Sequence, residues 1–157
     1  MSLLATGDAD GISLAARFTT GPQLFAPDDA RRRIADWFAD CPPGQARILQ
    51  DIAAHHPHAK AIFEGIAESS PYLFDLMRAD VSRVIRLLQS DPDSHIAALV
   101  AQTVRDAADD ANEAEIMRLL RRMKSEAALL IALCDIGGVW PVMRVTKALT
   151  DIAVASV

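Results

Sequence analysis

The stretch "IMRLLRRMKSEAALLIALCDIGGVWPVMRV", Ile116 to Val145, decides the fold. Ile116, Leu119, Leu120, Met123, Ala127, Leu130, Leu133 and Cys134 recur at offsets of three and four, which marks one helix face sustained for about six turns. The spacing predicts a helix from about Glu113 to Ile136. Its second half, from Ala127, is apolar nearly all round and is expected to be buried in a larger assembly. Gly137 and Gly138 then stop it. Gly137 is expected in the left-handed conformation that lets a helix end satisfy its carbonyls, with Gly138 as a second joint. Trp140 is biased toward extended backbone by Pro141, which itself suits the start of a new helix. Val142, Val145, Leu149 and Ile152 carry that helix toward Val157. Gly137, Gly138, Trp140 and Pro141 therefore form a structural corner between two helices.

The same period, followed toward the N-terminus, predicts further helices. Asp28 is expected to cap one that carries Ile34, Trp37 and Phe38 and ends at Cys41-Pro42-Pro43-Gly44. Gln45 to about His55 and Ala59 to Glu68 follow, with Ile48, Leu49 and Ile52 on the first and Ile62, Phe63 and Ile66 on the second. Ser70 is expected to cap a short helix that opens at Pro71, and Asp80 the next, with Val84, Ile85 and Leu88 inward. Ser90-Asp91-Pro92-Asp93 separates this from a helix bearing Ile96, Leu99, Val100, Thr103 and Val104. Asp106 to Glu115 reads either as a turn or as a polar stretch of helix. No run alternates with period two for long enough to be a strand. The expected fold is all-α, an irregular bundle of about seven helices over residues 28–157. Residues 1–27 mix Gly, Thr, Ala and Pro without a period and are expected to be a loosely ordered N-terminal arm.

Composition bounds the function. A chain of 157 residues is one ordinary domain in size. Apolar residues at 51% and charged residues at 24% describe a folded globular protein, and aromatics at only 5% leave an aliphatic core. A net charge of -5 argues against nucleic-acid binding driven by phosphate neutralisation. The longest apolar run, Ala127 to Cys134, is too short to cross a bilayer. The opening "MSLLATGDADG" lacks the basic start and long apolar stretch of a secretion signal. Cys41 and Cys134 share no metal-type spacing and read as reduced thiols, one in a loop and one buried on a helix. The expected location is the cytoplasm, with neither nucleic acid nor membrane as partner.

Three constellations carry polar chemistry. Arg118, Arg121, Arg122 and Lys124 place four positive charges within seven residues, the first three on adjacent positions of one helix face. Guanidinium groups in that arrangement can contact a phosphate or an acidic partner, while the composition also fits a solvated face balanced by Glu115 and Glu126. His55-His56-Pro57-His58 offers imidazoles, but Pro57 breaks the one-turn spacing that would align two of them, which reads as a loop end with exposed histidines. Asp8 and Asp10 after Gly7 resemble a magnesium-binding pair, yet they stand in a polar arm rather than on a buried strand. His95 reads as a boundary residue of an amphipathic helix. No phosphate-cradling glycine loop, Gly-x-Ser-x-Gly or His-Glu-x-x-His is present, so no catalytic residue, cofactor or metal ligand is assigned in this chain.

"LRRMKSEAALLIALCDIGGVWPVMRVTKALTDIA", Leu120 to Ala153, closely resembles the segment before the first catalytic motif of bacterial glutamine synthetase adenylyltransferases, also called adenylyl-removing enzymes. The shared elements are Arg121, Arg122, Lys124 and Glu126, the run Ala127 to Leu133, Asp135, Gly137-Gly138, Pro141-Val142-Met143 and Leu149-Thr150. "SSPYLFDLMRADVSRVIRLLQSDP", Ser69 to Pro92, is similar to that family's N-terminal helical region. The resemblance implies a bifunctional cytoplasmic nucleotidyltransferase that uses ATP and magnesium. It attaches AMP to a tyrosine of glutamine synthetase and removes it by phosphorolysis, under control of a PII signalling protein and glutamine. The chain is then expected to be the N-terminal helical platform of the adenylyl-removing half, a fragment inactive alone. The family's Gly-Ser followed by an Asp-x-Asp pair, which would hold the magnesium, is absent after this block. A freestanding helical interaction module without catalysis is the alternative expectation.

Overall fold

A computed structural model describes residues 12–109 and 112–157. The described residues form nine helices and no strand, against about seven helices expected: α1 (Leu14–Arg17), α2 (Pro27–Asp40), α3 (Pro43–His55), α4 (Pro57–Ser69), α5 (Pro71–Ala79), α6 (Val81–Gln89), α7 (Pro92–Ala108), α8 (Glu113–Ile136) and α9 (Val142–Ala155). Proline opens α2, α3, α4, α5 and α7, where its fixed φ suits the first turn and its missing N–H is no loss. The Ser70 hydroxyl accepts from Leu73 N at 3.3 Å and the Asp80 carboxylate from Arg83 N at 3.0 Å, so both expected caps are in place. Asp91 and Asn112 cap α7 and α8 in the same way, each at 2.9 Å.

Asp28 is not a cap. Pro27 starts α2 one residue earlier, so Asp28 lies inside the first turn, exposed, where its charge meets the positive end of the helix dipole. The free amides ahead of α2 are met from another helix instead, with Phe25 N donating to both Glu68 oxygens at 2.9 and 3.0 Å.

Two helices form the interior. Ile62, Phe63 and Ile66 of α4 and Leu129, Leu130 and Leu133 of α8 are almost wholly buried, with Met77, Leu87 and Leu88 packed in the same core. Trp37 of α2 stands edge-on to Phe63 and Phe74, its ring centroid 6.0 and 6.1 Å from theirs. The apolar second half of α8 therefore finds its burial within this chain, not in the larger assembly that its sequence suggested, because α5, α7 and α9 pack against it.

The loosely held arm is corrected for residues 12–26, which run as a strap across three parts of the bundle. Leu14 is fully buried and its amide donates to Ser90 O at 2.8 Å, at the α6–α7 corner. Phe18 is 7% exposed, and Thr19 N donates to Gly137 O at 2.9 Å, at the α8–α9 corner. Pro22 presses on α4 so closely that a Cβ on Gly65 would stand 2.1 Å from its Cγ. Apart from the single turn of α1, the strap shows no period, because its bonds from Leu14 and Thr19 go to distant corners. Asp8 and Asp10 lie outside the described residues.

Candidate functional site

The corner "DIGGVWP" closes α8 through a Schellman motif. Gly138 N donates to Asp135 O at 3.2 Å and Val139 N to Cys134 O at 2.8 Å, which satisfies carbonyls that a helix end leaves open. The left-handed residue is Gly138, at φ +67°, whereas Gly137 keeps helical angles of φ -81° and ψ 0°. The expectation that Gly137 is left-handed is thus one residue out of register, since the helix continues through Gly137 before it turns. Gly137 is needed for a different reason: a Cβ there would stand 2.2 Å from the Phe18 ring. Trp140 is buried at 5% exposure, and Pro141 is the residue from which α9 starts.

Charge ties the same corner to α1 and α7. Arg17 Nη1 reaches Asp91 Oδ1 at 3.1 Å and Asp93 Oδ2 at 3.0 Å, while Arg144 Nε reaches Asp93 Oδ1 at 3.3 Å. The Arg144 guanidinium also lies 4.3 Å from the Trp140 ring centroid. Burial pushes the Asp91 carboxyl up, but its bonds from Ser94 and the Arg17 charge more than offset this and hold it below the usual range. Beneath them Cys134 is fully buried, and burial pushes its thiol up to about 12, which makes it unreactive. Cys41, at the end of α2, is also free and buried.

The structure splits the basic run. Arg118 and Arg122 line a cleft of about 500 Å³ at the α7–α8 turn together with Asp106, Asp109, Asn112 and Glu115. Arg118 donates to Glu115, and that bond with the charges of Arg118 and Arg122 holds the Glu115 carboxyl below its ordinary range. Three acidic side chains thus partly neutralise the cleft. Arg121 and Lys124 are exposed and are not among its lining residues. Glu126 does not balance this run. It turns inward to accept from Arg86 Nη2 at 3.0 Å and His95 Nε2 at 2.9 Å, on the same oxygen.

That inward pair was invisible in the sequence, where Glu126 and His95 stand 31 residues apart. Burial raises the Glu126 carboxyl, but His95 and Arg86 outweigh it and hold the group below its usual 4.5. A depressed carboxylate contributes stability above its unfolded value and loses that contribution as the pH falls through the folded one. Melts between about pH 7 and pH 3 are expected to show a shallower acid limb for Glu126→Gln than for the parent chain. Superimposable limbs would mean that the pair carries no coupling.

His55 ends α3, with Nδ1 against Asp51 O at 2.7 Å, and His56 and His58 flank the start of α4. Among the described residues no three His, Cys, Asp or Glu side chains gather as a metal site. No helix among these residues is long and apolar enough to cross a membrane.

The family model for glutamate-ammonia ligase adenylyltransferase matches residues 60–157, from early α4 through the corner and α9. The chain belongs to this adenylyltransferase family. It is 58% identical over its whole length to a protein from Bradyrhizobium sp. (strain ORS 278) named bifunctional glutamine synthetase adenylyltransferase/adenylyl-removing enzyme, and it covers 16% of that protein. Proteins of the same name from Rhodopseudomonas palustris (strain HaA2) and Xanthobacter autotrophicus (strain ATCC BAA-1158 / Py2) are 55% and 42% identical over 96% and 98% of this chain, which spans 15% of each. This adenylyltransferase-family chain thus spans about one-sixth of the length of the curated relatives it matches. No solved structure matches it. The relatives cover the strap as well as the helices, so the residues that lock the α8–α9 corner lie inside the shared region.

Proposed function

We infer that this chain is the helical platform of the adenylyl-removing half of a bifunctional, cytoplasmic glutamine synthetase adenylyltransferase. The observation that carries this is identity of 58% over the full chain with a protein of that name, of which the chain makes up 16%. In this reading the nucleotidyltransferase chemistry, with its ATP and magnesium, belongs to polypeptide outside this chain. Glutamine synthetase is the protein substrate, and a PII signalling protein is the regulator. The platform's part is to hold the α8–α9 corner at a set angle through the strap, the Schellman closure and the Arg17–Asp93–Arg144 charges. Of the basic run Arg118, Arg121, Arg122 and Lys124, the exposed Arg121 and Lys124, outside the partly neutralised cleft, are the charges it offers to an acidic partner.

The first test is the size of the native polypeptide, detected in cells with an antibody raised against this chain. A species several times larger than 17.0 kDa is expected, and once immunopurified it should release ADP from adenylylated glutamine synthetase when orthophosphate is supplied. A native species of 17.0 kDa without that activity overturns the reading and favours a freestanding interaction module.

A further inference from the structure

Helix α9 is apolar on two sides. Its inner side packs Val145, Ala148 and Ile152 against α7 and α8. Its outer side carries Val142, Met143 and Val154 at 75%, 80% and 69% exposure, with Leu149 beside them. By helical spacing these four and Thr146 and Thr150 form one continuous stripe. No charge interrupts it. Lys147 and Asp151 stand at its flank and pair with each other at 2.7 Å. The two threonines ask nothing of a partner either, because each hydroxyl donates to a carbonyl one turn back, at 3.0 Å. A stripe without charge or open hydrogen-bonding groups suits permanent burial better than a transient, polar contact.

We propose that the outer face of α9 is covered by the longer protein's polypeptide outside these 157 residues, which lays an apolar element along it. This rests on the reading that the chain is part of a bifunctional adenylyltransferase. One finding selects this occupant over a second copy of the chain. The relatives extend far beyond the one-sixth that this chain spans, so most of the polypeptide that could cover the face lies outside it. The element laid against α9 has about 21 Å of helix to follow, the length of 14 residues.

The test places a thiol on the face with Met143→Cys and follows its modification by a maleimide, read at residue 143 by peptide mass. Position 143 is open to solvent, so the substitution leaves the fold intact, and Cys41 and Cys134 are buried. In the chain alone residue 143 is expected to react as a free surface thiol. In the full-length protein the reaction is expected to be slower by about tenfold or more, because the face must open first. Adding Leu149→Glu should return the full-length rate to that of the chain alone. Equal rates in the two proteins without that addition overturn the proposal. So does a chain that elutes as a dimer with residue 143 already protected, which assigns the face to a second copy. A native polypeptide of 17.0 kDa removes the underlying reading, whereas a long native polypeptide with an unprotected residue 143 removes this inference alone.

Discussion

Replacing Phe18 with alanine is expected to cost about 3–5 kcal/mol, the usual range for a buried phenylalanine, and to lower Tm by about 10 °C. The ring is 7% exposed and lies directly over Gly137, where the backbone of α8 ends. Its removal leaves a cavity under the corner, and the neighbours cannot easily collapse into it. Thr19 N is fixed on Gly137 O at 2.9 Å on one side, and Arg17 is held by Asp91 and Asp93 on the other. The Arg17 contacts are partly exposed and contribute little by themselves. The packing of Leu14, Ala15 and Phe18 supplies most of the strap's hold. Hydrogen exchange should rise first in α9, because the strap is what closes the corner from which that helix starts. A urea melt that shifts by less than about 1 kcal/mol would mean that residues 12–26 are the loose arm the sequence suggested.

That strap shows where the sequence was legible and where it was not. Helices whose burial follows their own period were readable, as with α8, whose limits Glu113 and Ile136 agree with the spacing of its apolar residues. Caps were readable where one polar residue precedes one apolar run, as at Ser70 and Asp80. The strap was not, because Leu14 and Thr19 are held by carbonyls at Ser90 and Gly137, more than seventy residues away. No local pattern encodes such a bond. The candidate basic face was legible as a helix position but not as chemistry. Whether Glu126 balances Arg122 or turns inward to His95 depends on where α6 and α7 stand relative to α8. The family resemblance, carried by the corner and the flanking helices, was the most informative part of the chain, and the match over residues 60–157 agrees with it.

The two corner glycines are expected to fail for different reasons, and a mutant cycle separates them. Alanine at Gly137 keeps allowed backbone angles, φ -81° and ψ 0°, so its main penalty is the contact of its Cβ with the Phe18 ring at 2.2 Å, with Leu133 O at 2.9 Å as a second close approach. Overpacking of that kind costs about 1–3 kcal/mol. In a Phe18→Ala background the ring is gone, and Gly137→Ala should lose most of that cost, with the approach to Leu133 O left and offset in part because alanine restricts the unfolded chain. Alanine at Gly138 instead forces a side chain into the left-handed region at φ +67°, at a cost of about 1–2 kcal/mol that no change at Phe18 relieves. Its Cβ would also meet Thr19 Oγ1 at 2.5 Å, a hydroxyl that can rotate aside. Chemical melts of the three single and two double variants should therefore show Gly137 coupled to Phe18 by more than about 1 kcal/mol and Gly138 nearly additive with it. The opposite pattern would return the left-handed turn to Gly137 and place the strap elsewhere. The pair explains why two glycines stand here in succession: the first admits the strap against the end of α8, and the second turns the chain into α9 along the angle that the strap then holds.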